Sequence, residues 1–460
     1  MNNRSSVLVL ATALVSCLAV ALCAAFLFGG YWLVTHAQLV APLLAPAALN
    51  RIVYVGNDGN IYVADPITGD HIALTQDGGD AHAYNYPTWA PDNHRIAFVG
   101  YTIANGALAE GALYTVSPRG ENLTPVFKTQ QNFPFYLYWS PDSQFIGFLS
   151  NKDAQNIALR VAHTDQPDSM QELDTGSPFY WAWSPDGAQL FTHVGGARAD
   201  NDNARLAILN LQNNQSPRTL TELPGAFQAP QWSRDGKILF STQDGSTQAI
   251  ALTDTQGKGL TKLASYNGRA SFALAPDGTR VAYIVTDANL RVPHYGFVHV
   301  VNTDTTDDQP ISPEPALAFQ WSPDSKKIAF LTLTLSNNQQ NFQFAPPPFL
   351  ASNAPEHFFG APPEQQGGQT RVQLNWKVWD SATAQTHLAA TFVPTDSFLS
   401  VLPYFDQYAN STTFWSPDSE ALVYTTLETN GDGSVWTADI AGKTTVKKVG
   451  DGVLAFWSWR

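Results

Sequence analysis

Short hydrophobic runs, separated by turns rich in Pro, Asp, Ser and Gly, fill the chain from residue 51 to its end. In most units a Trp ends one run, a Pro-Asp turn follows, and a β-branched or aromatic run comes next. Pro presets φ, Asp or Ser can bond the local backbone, and Gly tolerates positive φ, so each turn joins two strands. The pattern therefore predicts a long series of β-hairpins.

Seven copies of this unit follow one another along the chain. They are Trp89–Asp92, Trp139–Asp142, Trp183–Asp186, Trp232–Asp235, Leu274–Asp277, Trp321–Asp324 and Trp415–Asp418. Subtraction of neighbouring start positions gives spacings of 50, 44, 49, 42, 47 and 94 residues. A period in the forties with this strand–turn–strand chemistry is the size of one four-stranded propeller blade.

The two ends of the repeat region complement each other. Residues 51–76 hold the second, third and fourth strands of a blade, and Val453–Ser458 supplies the missing first strand. Such a composite blade closes the ring without a free sheet edge. We therefore predict an all-β fold, a β-propeller of eight four-stranded blades, with seven as the alternative if the weak copy at Leu274 is incomplete. The gap after Trp321 is interpreted as an insertion at 336–370 within one blade, rather than as a ninth blade.

A long apolar segment precedes the repeats. Val7–Val34 contains no charged residue, so a helix there could span the hydrocarbon, and it is longer than the apolar region of a cleaved signal peptide. Arg4 and the amino terminus favour a cytoplasmic N-terminus with the propeller outside the cytoplasm. Lipid attachment at Cys17 is the alternative to an uncleaved anchor. The predicted domains are an anchor at 1–36, a stalk at 37–50 and a propeller at 51–460.

Charge and cysteine content exclude several kinds of partner. The net charge of −14 argues against binding to nucleic acid or to an anionic membrane surface. Both cysteines, Cys17 and Cys23, lie in the apolar segment, so the propeller has no thiol for a disulfide or a zinc site. The turns at 200–203 and 430–433 offer oxygens that calcium favours, but neither completes a calcium loop. We predict no metal and no cofactor.

Four of the seven units read Trp-Ser-Pro-Asp and the other three are variants of it. These units resemble those of the TolB-like propellers, which are similar to the non-catalytic propellers of dipeptidyl-peptidase and prolyl-oligopeptidase proteins. The resemblance covers residues 51–460 and implies a propeller that binds a protein or peptide, or that gates a neighbouring enzyme. The chain departs from TolB because it has a predicted anchor and no evident separate N-terminal domain. It also contains no G-x-S-x-G motif, so a hydrolase of the peptidase kind is not predicted.

Aromatic residues are concentrated where the chain enters each first strand, and more occur in the insertion. In a propeller these connections open on one face around the channel, and aromatic rims suit recognition of proteins, peptides or glycans. The alternative is that these rings have only a packing role and fill the gaps between blades. The candidate binding residues are Tyr84, Tyr86, Phe133, Phe135, Tyr136, Phe179, Tyr180, Trp181, Tyr266, Tyr404, Phe405, Tyr408, Phe344 and Phe349.

Three hypotheses about function follow from these patterns. The first is a membrane-anchored, non-catalytic binding module for a protein or peptide, with a glycan as another ligand. The second is a propeller enzyme, a lyase or a glycoside-acting protein, with Asp77, Asp80 and Asp406 as its carboxylates. The third is a sensor or accessory subunit of an envelope complex. The repeated Asp and Trp residues of the units are predicted to be structural, in turns and between blades.

Overall fold

The computed structural model describes residues 49–166, 169–198, 200–211, 217–226, 228–290, 292, 294–334, 372–440 and 445–460. Within these ranges no helix combines the length and the hydrophobicity needed to cross a bilayer. The anchor predicted at 7–34 and the insertion predicted at 336–370 lie outside the described residues.

The short apolar runs form the strands that the repeat pattern predicts, because β-branched and aromatic side chains pack well on a pleated surface. In chain order the strands are β1 Ile52–Gly56, β2 Ile61–Ala64, β3 His71–Ala73, β4 His82–Trp89, β5 Ile96–Ala104, β6 Ala107–Val116, β7 Thr124–Thr129, β8 Pro134–Trp139, β9 Phe145–Asn151, β10 Ile157–His163, β11 Gln171–Gly176, β12 Phe179–Trp183, β13 Gln189–Val194, β14 Arg205–Asn210, β15 Arg218–Thr219, β16 Gln231–Trp232, β17 Ile238–Asp244, β18 Thr247–Thr253, β19 Thr261–Tyr266, β20 Arg269–Leu274, β21 Arg280–Thr286, β22 Val298–Asn302, β23 Asp308–Pro310, β24 Ala318–Trp321, β25 Lys327–Thr334, β26 Gln373–Asp380, β27 Gln385–Phe392, β28 Ala421–Leu427, β29 Gly433–Asp439, β30 Val446–Gly450 and β31 Gly452–Trp457.

These strands form eight sheets, each of them one blade of the propeller. Six blades follow chain order from the innermost strand outward, namely β4–β7, β8–β11, β12–β15, β16–β19, β20–β23 and β24–β27. In the blade β28–β30 the innermost position is taken by Trp415, which pairs with Leu422 through a single bridge. The prediction of eight blades is confirmed, and the weak copy at Leu274 belongs to a complete four-stranded blade.

The eighth blade is the predicted composite of the two ends of the propeller. Its order is β3-β2-β1-β31, and β31 runs antiparallel to β1 with Ile52 opposite Trp457. Leu454, Phe456 and Trp457 are almost completely buried there. The ring is therefore closed by the last strand of the chain, as the sequence predicts.

The repeated Asp residues stabilise the turns. In one unit Ser140 donates its hydroxyl to Asp142, the Gln144 N–H donates to the same carboxylate at 3.1 Å, and the Phe145 N–H donates to Ser140 Oγ at 2.9 Å. Corresponding Ser–Asp hydrogen bonds occur at Asp186, Asp235, Asp324 and Asp418. These residues therefore have the structural role that the repeat predicts.

The repeated Trp residues join neighbouring blades. Trp139 Nε1 donates to the Thr88 carbonyl at 3.2 Å, and Trp321 Nε1 donates to the Ala273 carbonyl at 3.0 Å. Each of these bonds leads from the inner strand of one blade to the inner strand of the blade before it. The prediction that the Trp side chains pack between blades is confirmed.

Part of the long gap before Trp415 lies between two strands of one blade. β25 and β26 pair along their lengths, with Lys327 opposite Asp380 and Thr334 opposite Gln373. The chain between β25 and β26 therefore leaves and re-enters the blade β24–β27, and the rest of the gap leads from β27 to Trp415. The described residues contain no ninth sheet.

Candidate functional site

The connection from β27 to Trp415 folds into a helical segment, residues Thr395–Thr412, that we call the plug. Its helices are α1 Asp396–Val401, a 3-10 helix Leu402–Tyr404 and α2 Phe405–Tyr408. The predicted all-β fold has no helix in this connection, so these helices are a feature that sequence reasoning missed.

Local chemistry explains why the plug is helical. Thr395 is an N-cap whose hydroxyl accepts a hydrogen bond from the Phe398 N–H at 3.2 Å. Pro403 near the start of the 3-10 helix has no N–H to satisfy and a φ suited to a helical turn. A Thr-Asp pair before an apolar run is therefore the signal that could have predicted α1.

Every blade of the propeller makes a hydrogen bond to the plug. Going round the ring, the blade residues that make these bonds are Thr88, Tyr136, Trp181, Gln228, His294, Gln320, Thr425 and Val453. Because these contacts come from all sides of the ring, the plug lies across the channel and closes it.

The Gln407 side chain makes three hydrogen bonds to the wall of the channel, and the residue is 1% exposed. Its amide oxygen accepts from the Trp181 N–H, and its amide nitrogen donates to the Trp181 carbonyl, both at 3.2 Å. The same nitrogen donates to the Tyr136 hydroxyl at 3.1 Å, and this hydroxyl donates to the Gln407 carbonyl at 2.9 Å. The glutamine amide therefore satisfies the backbone of β12 in the way that a neighbouring strand would.

Asp406 fixes the plug to the blade β16–β19, and its side chain is also buried. One carboxylate oxygen accepts from the Gln228 amide at 2.6 Å and from the Ala229 N–H at 3.1 Å. The other oxygen accepts from the Gln407 N–H at 2.9 Å. The inner strand of this blade is only two residues long. Asp406 therefore binds backbone that lies just before that short strand.

His294 contacts the plug from the next blade. Its Nε2 lies 2.9 Å from the Pro403 carbonyl, which can only accept, so Nε2 carries the proton of the neutral ring. Nδ1 is hydrogen-bonded to Ser271, and Phe405 packs edge-on to the imidazole at 4.9 Å. Burial lowers the pKa of His294, and the nearby Asp406 carboxylate opposes this by a smaller amount.

Aromatic packing fills most of the space around the plug. Tyr408 packs against Tyr136 at 4.9 Å and Tyr86 at 5.7 Å, and Phe405 packs against Phe319 at 5.1 Å. A cavity of about 20 Å³ is left beside Phe405 and Tyr408, which is room for one water molecule. The channel is thus a packed core around the plug.

The predicted binding residues are mostly inside this core. Those that are buried are Tyr84, Phe135, Tyr136, Phe179, Tyr180, Trp181, Tyr266, Phe405 and Tyr408. Those that are half-buried are Tyr86, Phe133 and Tyr404, while Phe344 and Phe349 lie outside the described residues. Burial is what the packing alternative requires, and a partner would reach most of these rings only if the plug moved. Their role in ligand binding stays a prediction.

The structure brings some of these residues together and keeps others apart. Tyr86, Tyr136, Tyr180 and Trp181 meet the plug. Other members of the set make their contacts away from the plug. They are Tyr84, which donates to Asp77; Phe133, which lies against Gly111; and Tyr266, which is hydrogen-bonded to Ser241.

The three candidate catalytic carboxylates have different surroundings. Asp77 accepts from the Tyr84 hydroxyl at 2.9 Å and pairs with His82 at 3.0 Å. Asp80 is exposed, whereas Asp406 is enclosed between the plug and the blade β16–β19. The hydrogen bonds of the described residues therefore do not join these carboxylates into one site. Nor does any group of three or more His, Cys, Asp or Glu side chains in the described ranges have the arrangement of a metal site.

The fold defines the class of the protein as an eight-bladed β-propeller. Solved structures similar to it include the dihydro-heme d1 dehydrogenase NirN in complex with DHE, at 12% sequence identity and a TM-score of 0.52. The alignment covers 90% of this chain and 75% of the NirN chain. Oligogalacturonate lyase from Vibrio parahaemolyticus has 13% sequence identity and a TM-score of 0.49, and the alignment covers 86% of this chain and 100% of the lyase. TolB from Acinetobacter baumannii has 12% identity, coverage of 83% and 83%, and a TM-score of 0.37.

The predicted propeller fold is confirmed by the eight sheets, and TolB propellers are among the solved structures similar to this chain. At such low identity the likeness concerns the fold alone, since one fold supports many functions. No protein-family model matches the sequence, and no curated protein matches it either.

Proposed function

We propose that this protein is a membrane-tethered, extracytoplasmic propeller that binds a protein or peptide partner and does not itself catalyse a reaction. The plug is the observation that carries this proposal. Pockets for small molecules are usually clefts of about 300–1,000 Å³, whereas the cavity beside the plug is about 20 Å³. A closed, broad face suits recognition of a macromolecule better than enclosure of a small substrate.

The face that carries the plug is the proposed binding face. Successive strands of a blade alternate in direction, so the loop after β27 and the loop between β25 and β26 open on the same side of the ring. The plug and the insertion 336–370 therefore start from one face. We propose that this insertion contributes contacts to the partner, together with the rim around the plug.

Charge indicates what kind of partner fits. The chain has a net charge of −14, and complementary charge speeds encounter and disfavours wrong partners. We therefore expect a protein or peptide with a basic surface, with a glycan as the alternative ligand. Binding should weaken as salt is raised, because exposed charges are screened.

The proposed tether rests on the uncharged segment Val7–Val34 and on Arg4 before it. Alkaline extraction of membranes should leave the full-length chain in the membrane fraction, and deletion of residues 7–34 should release it. Recovery of the intact chain in the soluble fraction would contradict the tether.

The binding proposal predicts that residues 336–370 determine partner capture. The full-length chain in detergent is incubated with cell-envelope extract and compared with a deletion of 336–370 and with a variant that carries these residues in scrambled order. We expect the natural chain to retain one protein, and both variants to retain at least about ten-fold less of it, because interface contacts are specific. The captured protein is then purified and titrated against each variant.

The scrambled variant is the matched control, because it keeps the length and composition of the insertion. Equal binding by the natural and scrambled chains would make the insertion a spacer. Equal binding by all three chains would contradict the proposed site. A ligand released by glycosidase treatment would identify the partner as a glycan.

A further inference from the structure

We propose that the plug is an acid-released closure of the channel, and that His294 is the group through which pH acts on it. This inference goes beyond the proposed binding function and does not depend on any partner. It rests on three features: a chain segment seated in the channel, a histidine that this segment covers, and an aromatic wall behind the segment.

The plug covers part of His294, which is half-buried. The Pro403 carbonyl accepts the proton on Nε2 at 2.9 Å, and the Phe405 ring covers the imidazole at 4.9 Å with an interplanar angle of 85°. Both groups belong to the plug, whereas Ser271 at Nδ1 belongs to the wall. Departure of the plug would therefore remove one hydrogen-bond partner and expose the ring to water.

The direction of the pH effect follows from this geometry. With the plug seated, burial lowers the pKa of His294. The ring therefore takes up a proton only at a pH below the ordinary pKa of histidine. With the plug released, the ring is solvated and its pKa returns to about 6.5. The released state then binds a proton that the closed state does not. Closure is therefore fully favoured above about pH 6.5 and becomes weaker as the pH falls.

Two other charged groups near His294 act on its pKa in opposite directions. Asp406 on α2 favours the protonated ring and so offsets part of the burial, whereas Arg269 on β20 disfavours the protonated ring and so adds to the effect of burial. The tyrosines in and around the plug have pKa values raised by burial and stay neutral. They are Tyr86, Tyr136, Tyr180, Tyr404 and Tyr408.

A second buried histidine, His193, lies behind the contact to Asp406. Its Nδ1 lies 3.1 Å from the Gln228 carbonyl and its Nε2 lies 3.1 Å from the Gly196 carbonyl, so each ring nitrogen faces an acceptor. Burial lowers the pKa of His193 to about 4, so this ring stays neutral in the range in which His294 acts.

Release of the plug would open the channel to an aromatic wall. Tyr86, Tyr136 and Trp181 all contact the plug, and they come from three consecutive blades of the ring. Such a wall can accept a peptide or a glycan by stacking and hydrogen bonding. The closed plug therefore acts as an internal competitor for this surface.

Hydrogen exchange of the full-length chain measures plug release directly. Peptides covering 395–412 are followed by mass spectrometry at pH 7.5, 6.5 and 5.5, with exchange times scaled for the intrinsic effect of pH. One titrating histidine raises the opening equilibrium by up to about ten-fold between pH 7.5 and 5.5. We expect this loss of protection in the plug, while strands such as β5 and β9 keep theirs.

Two variants separate this mechanism from general acid sensitivity. His294→Gln keeps a donor for Pro403 but cannot be protonated, so it should flatten the pH dependence in the plug. His299→Gln changes a histidine of the same blade that pairs with Asp308, and it should behave like the natural chain. The proposal is overturned if the plug of the natural chain shows no pH-dependent opening, or if the plug of His294→Gln opens with the same pH dependence as that of the natural chain. It is also overturned if the strands lose protection together with the plug.

Discussion

Truncation of the propeller after Asp451 should abolish its cooperative unfolding. The lost segment contains β31, whose Leu454, Phe456 and Trp457 are buried against β1 and the neighbouring blades. Removal of a large buried side chain costs about 2–5 kcal/mol, so losing three of them equals the whole stability of a typical domain, about 5–15 kcal/mol. Near-ultraviolet circular dichroism of residues 49–460 and 49–451, followed through a urea titration, measures this result.

A circular permutant is the matched control for this truncation. The Asn50 N–H donates to the Arg460 carbonyl at 2.7 Å, so the two ends of the propeller are adjacent and a short linker can join them. A permutant that starts at Gly452 and ends at Asp451 keeps every strand of the ring. We expect it to unfold cooperatively like the natural order. A stable 49–451 chain would show that ring closure by β31 is not required.

Gln407→Ala should destabilise the propeller by about 1–3 kcal/mol, the usual cost of one unsatisfied buried polar group. The substitution leaves the buried Trp181 N–H without its partner, whereas the Trp181 carbonyl keeps the Tyr138 hydroxyl as a second donor. It also removes a donor to the Tyr136 hydroxyl. The free energy of unfolding from urea titrations measures the effect.

Gln385→Ala is the control for this substitution, because Gln385 is an exposed glutamine at the start of β27. We expect a change within about 0.5 kcal/mol, as for most surface substitutions. If Gln407→Ala were as mild as Gln385→Ala, the plug would not be held to the wall in the way described.

Much of the fold could be predicted from the sequence because its signals are local. Each unit carries its own turn residues, and the Ser140–Asp142 hydrogen bond spans only two residues. The composite blade was predictable for the same reason, since the first blade lacks a Trp-bearing strand and the end of the chain supplies one. Repetition made these local signals reliable, and the eight-bladed ring follows from their number.

The plug could not be predicted in the same way, because its contacts depend on closure of the ring. Gln407 meets Tyr136, which is 271 positions earlier, and Asp406 meets Gln228, which is 178 positions earlier. Neither pairing has a local sequence signal. Only the helical start at Thr395 could have been recognised from its N-cap.

The aromatic pattern includes residues that lie around the plug, but it cannot identify what faces them. Tyr136, Tyr180 and Trp181 surround a segment of their own chain. A ligand would select the same kind of residue, because aromatic side chains combine a large apolar surface with a polar handle. The structure was needed to distinguish an empty aromatic channel from a filled one.

Hydroxyl-radical footprinting of the full-length chain at neutral pH is the most direct test of the closed channel. Oxidation is compared at Tyr136, Tyr180 and Trp181, which are at most 9% exposed, and at Phe297, which is 48% exposed. With the plug seated, we expect the three channel residues to react far more slowly than Phe297. Rates at these three residues that approach the rate at Phe297 would show an open, solvated channel and would contradict the closure described here.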